Sequence, residues 1–418
     1  MLTPHVATWS IAALAMAGVV LRPLRIPEAV WAVGAALALV CFGLLPVGAA
    51  WKGIGRGVDV YLFLLGMMLL AELARQEGLF DWLAAQAAAH ARGSAVRLFA
   101  LIYIVGTLVT VFLSNDATAV VLTPAVAAVN RAARVEQPLP YLLICAFVAN
   151  AASFVLPISN PANLVIYASH LPPLSEWLPR FALPSALAIG ATYVMLRYTQ
   201  RAALRQAPRG EVAVPILTMA GKIAAYAIAA TAVALLAASA MDRQLGLPTC
   251  LAAVLAVSVV SLTTRAFQWR LLRQISWNVI ALVGGLFVLV EALERTGVLA
   301  ALSELLRHAS QHSATLAAGA AGSVVAIAAN LVNNLPAGLV AATAVKTAGV
   351  PGGVTSAVLI GIDLGPNLSV TGSLATILWL SALRREGVQV RASEFFKLGL
   401  LVMPPALALA LAAALLRA

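Results

Sequence analysis

Two polar stretches interrupt long apolar runs of the sequence, and they hold the side chains best suited to chemistry. The first is Leu113–Pro124, which places Ser114, Asn115, Asp116 and Thr118 within a segment that is otherwise apolar. An aspartate at membrane depth costs about 2.5–3.5 kcal/mol on insertion scales, so it persists where it faces protein, water or a solute. We therefore predict that Asp116 is functional and that its three polar neighbours contact a solute.

The second polar stretch is Asn333-Asn334-Leu335-Pro336, and Asn333 follows Asn115 by 218 positions. Two further interruptions, at 156–163 and 363–373, fall inside predicted membrane helices. Their Pro and Gly residues break the helical hydrogen bonding and free backbone N–H groups that can donate to a solute. The other predicted solute ligands are Asn150, Ser159, Asn160, Asn163, Asn333, Asn334, Asn367, Thr371 and Ser373.

The four interruptions combine amides and hydroxyls with two carboxylates, Asp116 and Asp363, and contain no Lys or Arg. This chemistry suits a small neutral polyhydroxylated solute or a hard cation, whereas a di- or tricarboxylate would need fixed positive charge or bound sodium. A carboxylate in a half-dry site can take up and release a proton near neutral pH, so we predict that both aspartates carry protons or cations. The alternatives are that each aspartate caps a half-helix and that each asparagine only bonds helices together.

The composition is that of an all-α polytopic membrane protein, with 62% hydrophobic and 10% charged residues. A bilayer core about 30 Å thick needs about 20 apolar residues for each spanning helix. Shorter amphipathic pieces at 79–91 and 298–308 precede two longer apolar stretches, at 95–130 and 313–346. The predicted spans are 5–21, 28–47, 59–75, 141–168, 180–197, 214–240, 246–264, 276–293, 353–381 and 393–416.

The two halves of the chain resemble each other. The motif Gly66–Glu72 matches Gly285–Glu291 at an offset of 219, and Asn150 aligns with Asp363 at an offset of 213. We predict two repeats, 1–200 and 214–418, each with a broken helix and a re-entrant hairpin (95–130 and 313–346), joined by a basic linker at 201–213. Five spans and a hairpin make an odd number of crossings, so the second repeat is inverted, as in secondary transporters.

Basic residues in the loops predict the orientation in the membrane. If the linker is cytoplasmic, the positive-inside rule places both termini outside, and the net charge of +11 reflects topology and not nucleic-acid binding. Of the 27 cations, 19 then lie inside: Arg22, Arg25, Arg75, Arg92, Arg97, Arg131, Arg134, Arg197, Arg201, Arg205, Arg209, Lys222, Arg265, Arg270, Arg273, Arg384, Arg385, Arg391 and Lys397.

Other site types receive no support from the sequence. Cys41, Cys145 and Cys250 lie in separate apolar spans without Cys or His at metal-ligand spacing, so we expect no metal site and no disulfide. The chain has no G-x-x-x-x-G-K-[ST] motif, which excludes ATP hydrolysis here but not in a partner. We expect no cofactor and no enzymatic activity.

The motifs Ser114–Thr118, Asn333–Pro336 and Asp363–Trp379 resemble those of the arsenite/antimonite efflux carriers of the ArsB type. These carriers belong to a broad ion-transporter superfamily that includes sodium/proton antiporters and divalent-anion carriers. The resemblance implies export of trivalent arsenic and antimony as neutral trihydroxides in exchange for protons across a bacterial inner membrane, conferring arsenical resistance. In some members a soluble, arsenite-stimulated ATPase is a partner. Some relatives carry Lys after Asp-Leu-Gly-Pro, where this chain has Asn367.

The sequence leaves two alternatives to metalloid/proton antiport. The first is a sodium/proton antiporter on the same scaffold. The second is a passive metalloid channel that a soluble ATPase partner drives.

Overall fold

The structure is a computed structural model that describes residues 3–23, 26–167, 171–241, 243–265 and 268–416. Arg25, one of the predicted cytoplasmic cations, lies outside these ranges. Every regular element in the described ranges is helical. The first half contains α1 (Pro4–Leu21), α2 (Glu28–Cys41), α3 (Val47–Arg56), α4 (Val58–Gln76), α5 (Leu79–Ala91), α6 (Ala95–Phe112), α7 (Asn115–Ala117), α8 (Thr123–Ala132), α9 (Leu139–Ala151), α10 (Pro161–Tyr167) and α11 (Leu174–Thr199).

The second half begins after a linker without regular helix apart from one short turn, Ala203–Arg205. It contains α12 (Met219–Ala240), α13 (Gly246–Thr264), α14 (Trp269–Gln274), α15 (Trp277–Arg295), α16 (Val298–His312), α17 (Ala314–Val332), α18 (Asn334–Ala348), α19 (Gly352–Leu364), α20 (Leu374–Arg385) and α21 (Ala392–Leu415).

The predicted all-α polytopic fold is confirmed. Seven of the described helices are long and apolar enough to cross a membrane, and α3 with α4, which bend by 47°, would make an eighth. Several other predicted spans consist of shorter or broken helices. One predicted span, 28–47, is wrong in its second part: the helix ends at Cys41, and Gly43 turns the chain at a φ of 69° before α3 begins after Pro46.

Helix packing is reciprocal between the two halves. Helix α2 of the first half packs on α15 of the second half, and α13 of the second half packs on α4 of the first. Both contacts depend on a glycine at the same place in the duplicated motif. A Cβ on Gly66 would lie 2.7 Å from the Thr249 backbone, and a Cβ on Gly285 would lie 2.7 Å from the Ala32 backbone. The matched glycines therefore allow equivalent close approaches of two helix pairs.

Each long polar-interrupted stretch is two helical arms that meet at a break. In the first, α6 ends at Phe112, Ser114 is extended, and α7 continues through a π-helical turn, Thr118–Leu122, into α8. In the second, α17 and α18 meet at Asn333, whose φ of 74° and ψ of 152° lie in a region that favours glycine. Both arms of each stretch pack on the preceding amphipathic helix, α5 or α16.

Broken helices complete the contacts between the halves. In the first half, α9 ends at Ala151 and a 3-10 turn, Pro157–Ser159, leads to α10. In the second half, α19 continues into the 3-10 turn Gly365–Leu368, and an extended segment leads to α20. The segments after the breaks exchange partners, because α10 packs on α18 and α20 packs on the π-helical turn. The four predicted interruptions are thereby gathered inside the helical bundle.

Candidate functional site

Asp116 lines an open pocket between the first polar break, α4 and the segment that joins α14 to α15. The cavity volume is about 70 Å³, which accommodates several water molecules or one small solute. Asp116 is half-buried, and Glu72 is the second carboxylate of the pocket. None of its lining residues in the described part of the chain is Lys, Arg or His. The remaining polar or sulfur-bearing lining residues are Ser114, Gln274, Ser276, Met67 and Met68.

The neighbours of Asp116 hold this break in place. The Ser114 hydroxyl accepts the Ala117 N–H at 3.2 Å, and the Asn115 side-chain oxygen accepts the Asp116 N–H at 2.9 Å. Thr118 is fully buried, and its hydroxyl pairs with the Thr110 hydroxyl at 2.8 Å. Of these predicted solute ligands, only Ser114 lines the pocket, while Asn115 and Thr118 contact protein.

Asp363 lies in a second, fully buried polar cluster. The Asn160 side-chain N–H donates to Asp363 Oδ1 at 2.6 Å, which joins the break after α9 to the end of α19. Asp363 Oδ2 has no hydrogen-bond partner among the residues that the structure describes. The hydroxyl of Ser153 does not donate to this oxygen, because it donates to the Asn150 carbonyl at 2.8 Å. A buried carboxylate oxygen without a donor is costly unless the carboxyl binds a proton or a cation.

Asn150 occupies the place in the first half that Asp363 occupies in the second. Its side-chain N–H donates to Asn367 Oδ1 at 3.0 Å and to Thr376 Oγ1 at 3.3 Å, and its oxygen accepts from Ser373 at 3.1 Å. Asn367 in turn donates to the Phe147 carbonyl at 3.0 Å. The amide of Asn150 is therefore fully used in joining α9 to the broken helix of the other half.

The break after α9 is held by backbone contacts. Asn163 donates to the carbonyls of Ser153, Leu156 and Pro157 at 2.9–3.3 Å, and its buried side-chain oxygen lacks a partner in the described ranges. The Ser159 hydroxyl donates to the Val111 carbonyl at 3.0 Å, near the end of α6. Asn163 thus stabilises the local backbone of the broken helix, and Ser159 joins it to the end of α6.

The second polar break, where α17 and α18 meet at Asn333, is anchored to the break after α19. Asn333 donates through its side chain to the Thr371 carbonyl at 3.2 Å, and the Asn334 N–H donates to the Gly372 carbonyl at 2.9 Å. The Thr371 hydroxyl donates to the Asn330 carbonyl at 3.2 Å. Asn334 is buried, and its side-chain oxygen is unpaired within the described residues. Asn334 is therefore the residue of the second polar break with free acceptor capacity.

Sequence reasoning missed half of the pocket. Glu72, Gln274, Ser276, Met67 and Met68 come from outside the polar interruptions, and the one signal for Glu72, Met67 and Met68 was their place in the duplicated motif. Glu72 pairs with Arg75: Arg75 Nε donates to Glu72 Oε2 at 2.8 Å, and Arg75 Nη2 bonds the other oxygen. A carboxylate whose two oxygens accept from one guanidinium is held in a fixed direction.

The side chains of the site offer mainly hydrogen-bond acceptors, a chemistry that suits hydroxyl-bearing solutes. Carboxylates, hydroxyls and an amide surround a small cavity, and outside this cavity the carboxyl of Asp363 lies buried among amides. No group of three or more His, Cys, Asp or Glu residues in the described ranges could hold a metal ion. Cys145 is buried and isolated from Cys41 and Cys250 in separate helices. The side chains of the site that the structure describes thus provide hydrogen-bond acceptors, and they include no thiolate pair or metal-binding cluster.

Comparison with known proteins gives the family. The family model described as "CitMHS: Citrate transporter" matches residues 12–365. The chain belongs to this family. It is therefore a multi-span membrane transporter and not an enzyme, as the sequence predicted, and the resemblance to the ion-transporter superfamily is confirmed. An "Arsenical pump membrane protein" of Yersinia enterocolitica and one of Escherichia coli are each 27% identical to this family member, with 92% of each chain covered.

A further relative and one solved structure are also similar to this chain. An uncharacterized transporter of Mycobacterium tuberculosis is 25% identical and covers 84% of each chain. Among solved structures, the YdaH transporter of Alcanivorax borkumensis, which has an unusual topology, superposes with a TM-score of 0.57 at 16% identity. That likeness covers 88% of this chain and 86% of the other, and it shows a shared fold.

Proposed function

We propose that the protein exports trivalent arsenic and antimony as neutral trihydroxides in exchange for protons across the bacterial inner membrane, and so confers arsenical resistance. The observation that carries this proposal is the pocket around Asp116. Its polar lining consists of two carboxylates, two hydroxyls and one amide, without a basic side chain in the part of the chain that the structure describes. Hydroxyl groups of a neutral solute can donate to the carboxylate and hydroxyl oxygens of this lining.

The same lining disfavours citrate, the substrate in the family's description. Citrate carries up to three negative charges, and it would meet Asp116 and Glu72 without a lysine or arginine in the pocket wall. Proteins normally bind carboxylates through Arg or Lys, often in bidentate pairs. The names of the relatives from Yersinia and Escherichia, which are arsenical pumps, support the metalloid assignment from an independent direction.

Asp116 and Asp363 are the proposed proton carriers. Asp116 lines the open pocket, a position from which it would contact both water and solute. Asp363 is fully buried with one unpaired oxygen, a state that a bound proton stabilises because the neutral acid can itself donate a hydrogen bond. The remaining predicted ligands act mainly as supports, except Ser114 at the pocket and Asn163 and Asn334, whose side-chain oxygens are unpaired within the described residues.

The proposed scaffold for this exchange is a pair of inverted repeats, 1–200 and 214–418, with both termini outside and the linker inside. The reciprocal packing of α2 on α15 and of α13 on α4 supports it. Alternating access then comes from movement of one part of the bundle against the other around the central site.

Transport by the purified chain in proteoliposomes tests the proposal. With an inside-acid proton gradient and no other protein present, vesicles that contain inverted molecules should accumulate arsenite, and dissipating the gradient should stop accumulation. Sodium-dependent alkalinisation that arsenite does not affect would indicate a sodium/proton antiporter instead. Arsenite movement that only equilibrates, and becomes concentrative when a soluble ATPase is added, would indicate the channel alternative.

A further inference from the structure

The duplicated motif gives two glutamates that can be compared directly. Gly66–Glu72 lies in α4 and Gly285–Glu291 lies in α15, and the glycine of each copy lets a helix of the other half approach closely. The two copies are thus set in matching surroundings, with Met68 in α4 at the position of Phe287 in α15. Differences around the glutamates therefore reflect different roles.

Glu291 is a structural brace. Its side chain is only 4% exposed, and its two oxygens pair with Arg56 at 2.8 Å and with Arg295 at 3.3 Å. The Phe287 ring, one helical turn earlier, packs edge-on against Tyr61 with ring centroids 6.0 Å apart. Glu291 lines no part of the Asp116 pocket. Ion pairing and aromatic packing fill the space around this copy of the motif.

Glu72 borders a cavity, and its side chain is 13% exposed. It lines this pocket together with Asp116, and Met68, at the position of Phe287 in the other copy, lines the same pocket. Its only ion-pair partner in the described ranges is Arg75, which also donates to Gln274 Oε1 at 3.3 Å. Gln76 bonds the same Gln274 oxygen. These contacts fix the direction of the Glu72 carboxylate at the mouth of the cavity.

We propose that Glu72 is a second solute-binding carboxylate and that Met68 provides the room for the solute. The inference rests on the proposed function and names part of its binding site. A neutral trihydroxide offers three O–H donors, and Asp116 and Glu72 accept from different walls of one cavity. Arg75 holds the Glu72 carboxylate in a fixed direction without itself lining the pocket.

The matched variants Glu72→Gln and Glu291→Gln test the role of Glu72 in arsenite transport by proteoliposomes. We expect Glu72→Gln to raise the KM for arsenite about tenfold, because hydrogen bonds to a charged group are about twice as strong as neutral ones. The maximal rate should change much less, and Glu72→Asp should restore part of the affinity. Glu291→Gln should lower the Tm of the purified protein and leave the KM unchanged.

The reciprocal exchange of Met68 and Phe287 tests the room for the solute. Met68→Phe should fill the cavity and abolish saturable arsenite transport, whereas Phe287→Met should leave the KM as in the wild type. A Glu72→Gln variant that transports arsenite at the wild-type rate and with the wild-type KM overturns this inference. The proposed function then still stands. A wild-type protein that moves no arsenite overturns both. If Met68→Phe does not fold, judged by size-exclusion chromatography, the isosteric Glu72→Gln variant decides.

Discussion

Asn160 donates a hydrogen bond of 2.6 Å to Asp363 across the two halves, and Ser373 donates one of 3.1 Å to Asn150 at the corresponding place. The acceptors Asn150 and Asp363 are related by the sequence offset of 213, and so are the donors Asn160 and Ser373. The amide of Asn150 has all its groups hydrogen-bonded, whereas the carboxyl of Asp363 has one oxygen without a partner among the described residues. The same geometry thus serves structure on one side and, in the proposed function, proton binding on the other.

Replacing Asp363 with Asn should separate proton coupling from folding. Asn fits the equivalent place in the first half, so we expect the Tm to stay the same or rise as an unpaired buried carboxyl is removed. Proton-driven arsenite accumulation should be lost, whereas exchange of labelled for unlabelled arsenite should continue. The measurement is uptake with and without a proton gradient. A variant that still accumulates arsenite against its gradient would remove Asp363 from the coupling machinery.

The reverse change, Asn150→Asp, serves as its control. The side-chain N–H of Asn150 donates to both Asn367 and Thr376, and a carboxylate cannot replace these donations. We expect a loss of stability of about 1–3 kcal/mol or more, read as a lower Tm. Stability equal to the wild type would contradict the structural role assigned to Asn150.

Asp116→Asn should abolish arsenite tolerance in cells that lack other exporters. The substitution keeps the size of the side chain but removes both the titratable group and one charged acceptor of the pocket. The measurement is growth across arsenite concentrations at matched membrane abundance. A matched control is Glu304→Gln, because Glu304 lies on the exposed helix α16 and pairs there with Arg307 and His308. Retained tolerance in Asp116→Asn would exclude its proposed role.

The matched glycines Gly66 and Gly285 should be intolerant of alanine. Each added Cβ would lie 2.7 Å from backbone atoms of another helix, and backbone cannot move aside as a flexible side chain can. We expect each variant to lose about 1–3 kcal/mol of stability through overpacking. Gly34→Ala in α2 is the control, because a Cβ there meets nothing within 4 Å. Its Tm should equal or exceed that of the wild type.

Asn333 should tolerate glycine better than alanine. Its backbone lies in the region that favours glycine, and strain of this kind costs about 1–3 kcal/mol in a residue with a Cβ. Asn333→Gly loses the bond to the Thr371 carbonyl but relieves the strain, whereas Asn333→Ala loses the bond and keeps the strain. Thermal unfolding of the two purified variants measures the difference. An alanine variant as stable as the glycine variant would show that the backbone at position 333 relaxes freely.

The sequence predicted most of the helical architecture. Hydrophobic length and helix-breaking residues placed α5 at the residues where the structure has it and located the breaks near Ser159, Asn333 and Asn367. These features are local, since Gly, Pro and capping side chains act within one turn of the chain. The break between Cys41 and Val47 was missed because the apolar run around it continues through Gly43 and Pro46.

The pocket could not be predicted in the same way. Asn150, Asn163 and Asn367 looked like solute ligands by residue type, but their amides bond partners up to 226 positions distant. Glu72, Met68 and Gln274 reach the cavity because helices of different halves meet there. Which polar groups are satisfied and which remain free depends on this long-range packing, and residue type alone does not determine it.

The absence of a basic side chain from the described lining of the pocket also bears on the energy source of the proposed exchange. Cargo that carries no charge leaves while positively charged protons enter, so every turnover moves net charge across the bilayer. Each such charge is worth about 2.3 kcal/mol for every 100 mV of membrane potential. The voltage of the cell would therefore drive arsenite outward even when the pH on the two sides is equal.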